Sequence, residues 1–224
     1  MKPFYQPKII ASGLFAGLLG SLSPGAARAG GTIFETNQFG DTIGEYTTAG
    51  ATVNAALISG LSGLLGIAVS GSDLFVASAG THTIGEYTTS GATVNPALIS
   101  GLSAPIGIAV SGSDLFVANQ DSGTIGEYTT SGATVNAALI SGLSLPVGVA
   151  VLGSDLFVTN GTAIGEYTTA GAPVNVPLIS GLTTPVGIAI SGVPEASTWA
   201  MALTGFAALA FAGFRLARSR AASA

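Results

Sequence analysis

Cysteine is absent from this 224-residue chain, and there is one histidine, His82. Without thiols there is no disulfide framework, no thiolate metal centre and no cysteine nucleophile, so any fold must be held by its apolar core alone. Basic residues are nearly as scarce. All six lie towards the ends, at Lys2, Lys8, Arg28, Arg215, Arg218 and Arg220. Residues 30–192 carry ten carboxylates and no lysine or arginine, which the whole-chain formal charge of −5 conceals. A surface without cations repels phosphate backbones and anionic headgroups, so nucleic acid is a poor partner; cations and neutral sugars are better candidates. One histidine, no lysine in this stretch and no Gly-x-Ser-x-Gly elbow leave little from which to build a catalytic constellation. The sequence therefore predicts a protein that is not an enzyme.

What is present divides into three parts. In residues 1–29, Lys2 and Lys8 precede the apolar run "IIASGLFAGLLG", followed by Pro24 and the small-residue site Ala27-Arg28-Ala29. This is the pattern of an export signal peptide cleaved at Ala27 and Ala29. In residues 193–224, "VPEASTWAMALTGFAALAFAGFRLARSRAASA", no charge occurs from 196 to 214. At about 1.5 Å per residue a helix of that length nearly crosses a hydrocarbon core of about 30 Å. Arg215, Arg218 and Arg220 follow at once, and positive charge there holds that end in the cytoplasm.

This tail resembles a PEP-CTERM sorting signal, with its Pro-Glu-Pro box, single hydrophobic helix and Arg-rich end. The box here is Val193-Pro194-Glu195-Ala196, lacking the second proline. The resemblance implies an exosortase-type membrane protease as partner and a Gram-negative envelope. It also implies membrane attachment through the helix before processing, then delivery to the cell surface or its exopolysaccharide.

Residues 30–192 are repetitive. "IGEYTT" begins at Ile43, Ile84, Ile125 and Ile164, at a period of about 41 residues. The unit beginning at Pro105 holds four strand-like pieces, at 106–111, 114–119, 124–130 and 135–141, separated by Ser-Gly-Ser, Gln-Asp-Ser-Gly and Ser-Gly-Ala turns. Four short strands in such a unit describe a β-propeller blade. The array starts within a unit at "TIFETNQFGD" and stops within one at "PVGIAIS" (185–191). The predicted fold is accordingly an all-β, four-bladed propeller closed by N- and C-terminal strands of one blade. The units resemble NHL or YVTN-type propeller repeats, in which a Pro-x-Gly-Ile-Ala-Val inner strand precedes Leu-Phe-Val-Ala-Asn. Small residues on one face of the inner strand (Gly107, Ala109, Ser111) allow four strands to converge. Two other arrangements fit the same units: two chains forming an eight-bladed ring, or an open four-blade stack.

Glu45, Glu86, Glu127 and Glu166 recur once per unit. A propeller spreads them one per blade rather than pairing them, so they read as structural, at the rim or bonded to backbone. Asp73, Asp114 and Asp155 suit Ser-Asp turns. Asp41 and Asp121, in the other loop set, are candidate cation ligands, with Ca²⁺ as the only cofactor considered, although no EF-hand pattern is present. The recurring Tyr and Phe read as core between blades, with an exposed sugar-stacking platform as the sharper alternative. His82 reads as a solvated loop residue. The expected function is an exported, surface- or exopolysaccharide-associated propeller that scaffolds, adheres or binds. A carbohydrate- or Ca²⁺-binding module is the alternative, and a propeller lyase or hydrolase stands further off.

Overall fold

The computed structural model describes residues 31–191. The export signal and the sorting tail, with Ala27, Ala29, Val193, Pro194, Glu195, Arg215, Arg218 and Arg220, lie outside the described residues.

The described chain is all-β. Its strands are β1 (Thr32–Asn37), β2 (Thr42–Thr47), β3 (Thr52–Ser59), β4 (Leu64–Ser70), β5 (Asp73–Ser78), β6 (Thr83–Thr88), β7 (Thr93–Ile99), β8 (Pro105–Ser111), β9 (Asp114–Asn119), β10 (Thr124–Thr129), β11 (Thr134–Ile140), β12 (Pro146–Leu152), β13 (Asp155–Asn160), β14 (Ala163–Thr168) and β15 (Pro173–Ile179). They form four antiparallel meanders: β1-β2-β3, β4 to β7, β8 to β11 and β12 to β15. Each sheet is one sequence unit, and the inner strands β4, β8 and β12 lie side by side. This is the blade arrangement of a propeller.

Alternation along the strands explains how the blades join. Phe75, Ala77, Ile84 and Ile99 of the second blade pack against Ile108, Leu115, Val117 and Tyr128 of the third. The same residue types recur at the junctions before and after it. Each blade thus offers a Phe–Ile face forwards and a Leu–Val–Tyr face backwards. The inner strands approach closely because glycine stands where they meet. A Cβ on Gly66 would collide with the Ile106 carbonyl oxygen and one on Gly107 with that of Val147; one on Gly148 would lie 2.7 Å from the Val186 oxygen.

The "IGEYTT" strand is also explained by contact. Ile84 and Ile125 are buried towards the following blade, and Tyr87 and Tyr128 towards the preceding one. Each tyrosine ring folds back over the glycine two residues earlier, so a Cβ on Gly126 would lie 2.6 Å from the Tyr128 ring. The first of the two threonines closes the next turn: Thr88 Oγ1 accepts from Ala92 N at 3.0 Å, and Thr47, Thr129 and Thr168 do likewise. The outer strands are bulged. Ile84 pairs with Ile99 and Glu86 with Asn95, leaving 96–98 opposite the single Gly85. Asn95 Oδ1 accepts from Ala97 N at 3.2 Å within this bulge, and Asn54 and Asn136 repeat it.

The first blade differs from expectation. It has three strands, and residues 185–191 form no strand, so the pairing of the two ends is not made. Instead 185–191 lies beside β12, as β12 lies beside β8.

Replacing Gly126 with alanine drives a methyl into the Tyr128 ring and should cost about 1–3 kcal/mol of stability. Urea unfolding monitored by tyrosine fluorescence checks this; a change within error would mean that the ring moves aside freely.

Candidate binding clefts

One end of the blades gathers the turns after β1, β5, β9 and β13 and the connections from outer strand to next inner strand. Backbone bonds tie these loops together: Leu61 N donates to Asp41 O at 3.2 Å, Leu102 N to His82 O at 3.1 Å, Leu143 N to Gly123 O at 3.0 Å and Leu182 N to Thr162 O at 2.9 Å. Asp41 and His82 adopt positive φ (52° and 58°), as Gly123 does (64°). Their place in the sequence is thus a turn position that presents a carbonyl. His82 Nδ1 also accepts from Ala104 N at 3.4 Å.

Between these loops and the bulged outer strands, the second and third blades hold equivalent clefts. In the second blade Leu61, Ser62, Ser78, Thr81, Thr83 and Tyr87 enclose about 180 Å³. In the third, Leu102, Ser103, Asn119, Ser122, Thr124 and Tyr128 enclose about 280 Å³. The second-blade cleft is internally satisfied. Thr81 Oγ1 donates to Ser78 Oγ at 2.7 Å and lies 2.7 Å from Thr83 Oγ1, while Ser78 Oγ donates to Ser62 O. The third-blade cleft is not. Asn119 is 3% exposed and its Oδ1 has no partner, the one such buried side-chain atom among the described residues. Its counterparts are occupied: Asn37 Oδ1 accepts from Gly40 N and Asn160 Oδ1 from Ser144 N. A buried acceptor without a donor is costly; Oδ1 is closed to solvent, so a ligand hydroxyl or amide would satisfy it by drawing the Asn119 side chain into the cleft it lines.

Burial raises the pKa of Tyr87, Tyr128 and Tyr167; at Tyr128 the Asn119 amide beside the hydroxyl opposes the rise. These three rings are core, so they form no exposed stacking platform. The carboxylates lie elsewhere. Glu86 sits on the strand next to Asp73, near the opposite turn, and Glu127 stands likewise to Asp114. Desolvation, then the neighbouring aspartate, raises the pKa of each glutamate. No basic residue of the described chain relieves them. Asp41 and Asp121 belong to turns of the first and third blades and are not brought together. Among the described residues no three of His, Asp and Glu gather closely enough to hold a metal ion.

No family model matches the sequence, and no curated protein is similar to it. Several solved structures are similar in fold. A selenomethionine-substituted virginiamycin B lyase from Staphylococcus aureus is 24% identical with a TM-score of 0.59, covering 72% of this chain and 57% of its own. A catalytically inactive histidine-to-alanine variant of that lyase with quinupristin is 23% identical with a TM-score of 0.58, covering 70% and 56%. A computationally designed protein, Ika8, is 14% identical with a TM-score of 0.51, covering 72% and 52%. This chain is a β-propeller. It spans just over half the length of the lyases it resembles. That resemblance corrects the expectation of a protein that is not an enzyme: similar solved propellers are lyases, and composition by itself did not exclude catalysis on this fold.

Sequence reasoning placed the repeated carboxylates and aromatics in view but missed Asn119 and the hydroxyls around it. The residue type carried no signal, since Asn37 and Asn160 stand at the same position; what differs is that a loop N–H reaches their Oδ1 and none reaches that of Asn119.

A carboxyl whose folded pKa is raised holds its proton more tightly in the folded than in the unfolded state. Stability should therefore increase as pH falls from 7 through the raised pKa of Glu86 and Glu127, levelling near the ordinary value of 4.5. The Glu86→Gln/Glu127→Gln double variant should melt higher than the parent at pH 7 and show a flatter profile. Parallel profiles would mean that neither glutamate is strained.

Proposed function

We propose that this is an exported propeller, sorted to the bacterial cell surface or its exopolysaccharide, that binds a neutral glycan through its loop-end clefts. The unpartnered Asn119 Oδ1 carries this reading. It demands a donor. The surrounding hydroxyls of Ser103, Ser122, Thr124 and Tyr128 both donate and accept, as recognition of a polyhydroxylated ring requires. A domain without lysine or arginine has nothing to pair with an anionic ligand, which favours a neutral sugar. The cleft admits a single ring or a short branch rather than a long chain. Export and sorting are supported by the signal-like residues 1–29 and by the resemblance of the tail to a PEP-CTERM signal, with an exosortase-type protease as processing partner. Ca²⁺ through Asp41 or Asp121 would be an accessory to such binding.

The likeness to lyases favours a second reading, in which the same clefts hold a substrate that is then cleaved. His82, at the same end of the blades, is the one imidazole available as acid or base.

Calorimetric titration with neutral oligosaccharides from the host's exopolysaccharide should give saturable binding. Asn119→Ala should weaken it about tenfold, the loss of one hydrogen bond worth about 1.4 kcal/mol, without lowering the melting temperature. Binding that survives this change would remove the cleft from consideration, and no heat with any neutral glycan would remove the glycan. Mass analysis of the recovered sugar separates binding from cleavage.

For sorting, the intact mass of protein recovered from the host envelope should correspond to loss of both ends, near Ala29 and near Glu195. A species retaining Trp199 would instead describe a membrane-tethered propeller.

A further inference from the structure

The first blade lacks an inner strand among the described residues, and the last has an inner strand to spare. β1 pairs with β2 on one edge. Its other edge, on which β5, β9 and β13 carry β4, β8 and β12, has no partner among the described residues. Residues 185–191, "PVGIAIS", repeat the inner-strand sequence and lie beside β12 as the first strand of a further blade, yet pair with no second strand among the described residues.

The blade faces at the two ends are uncovered in a complementary way. Ile33 is 48% exposed, where Leu74, Leu115 and Leu156 are fully buried; Ile179 is 45% exposed, where Ile58, Ile99 and Ile140 are buried. One end shows half of an inter-blade core and the other end shows the other half. The glycine pattern agrees. Gly66, Gly107 and Gly148 each receive a carbonyl of the next inner strand, whereas Gly187 has open space around it. The carbonyl that such a glycine would receive in the first blade is that of Leu65, which accepts from the Thr36 hydroxyl at 2.6 Å.

We propose that two copies of this chain join head to tail into one eight-bladed ring, residues 185–191 of each completing the first blade of the other. The register follows from the pairs Ile67–Val76, Ala68–Phe75, Val69–Leu74 and Ser70–Asp73. It sets Ile188 opposite Glu35, Ala189 opposite Phe34, Ile190 opposite Ile33 and Ser191 opposite Thr32 of the second copy. The partner is a second copy because the missing strand and the spare strand are the same element of the repeat. Glu35 stands where the other blades carry Val76, Val117 and Val158, so the two junctions contain a carboxylate and are the weakest seams of the ring.

The absence of cysteine makes the test clean. Single variants Thr32→Cys and Ser191→Cys of the full chain are purified, mixed and oxidised, since directly opposed strand residues lie within disulfide reach. A covalent dimer should form in the mixture and in neither variant alone, and the double variant should give a doubly linked dimer. An internally linked monomer from the double variant would show that the chain closes on itself and would overturn the proposal. A ladder of longer multimers would overturn the ring, and no linkage in any sample would overturn the pairing, including by showing that the edge is otherwise covered. Gly187→Val, which touches nothing in its own chain, should leave unfolding of the dilute protein unchanged and bring cross-linking to background; undiminished linkage would also refute the arrangement.

Discussion

A blade of this protein cannot bury its own apolar residues. Each sheet is a thin meander with hydrophobic side chains on both faces, and the core exists only between one blade and the next. Every other feature follows from that dependence. The inner strand carries glycine because neighbouring blades must approach within backbone contact for their faces to meet. The third strand carries Ile on one side and Tyr on the other because it contributes to two cores at once. The repeats hold no cysteine, lysine or arginine; the aspartates are left to turns, and each glutamate sits within a strand without a cationic partner.

The same dependence explains why the clefts are where they are. The tyrosine that packs backwards also folds over its own glycine, which leaves room under the bulged outer strand. Loop hydroxyls line that room. In the second blade they consume one another; in the third, Asn119 stands where the second blade has Ser78 and the first and fourth have Asn37 and Asn160, and its acceptor alone is left unmet. The same asparagine finds a backbone donor in the first and fourth blades and none in the third, so local loop geometry rather than residue type singles out one blade.

Much of this was legible in the sequence. The period, the four strands of each unit and the inward and outward faces of "IGEYTT" follow from alternation and turn chemistry, and the strand bounds at Pro105–Ser111 and Asp114–Asn119 fall where turns predict them. Contacts that join distant residues were not legible. The collapse of Tyr128 onto Gly126 depends on a rotamer, and the unmet Asn119 depends on which neighbours fail to reach it. Ring closure was the least legible: a spare strand and a missing strand have the same sequence signature whether they meet within one chain or between two. The inference of a protein without catalysis failed for a different reason. It counted residue types, and chemistry on a propeller rests on where a few residues stand.

The bulges of the outer strands bear on how such a protein survives at high density. Outer strands are the exposed edges of the blades, carrying Val53, Val94, Val135 and Val174 at the surface. Edges of this kind commonly rely on lysine to discourage strand-to-strand addition, and these have none. The asparagine-anchored bulges serve instead. With Asn54, Asn95 and Asn136 turning the backbone mid-strand, no outer edge offers an unbroken row of donors and acceptors. Neighbouring molecules can then crowd together without zipping into fibres.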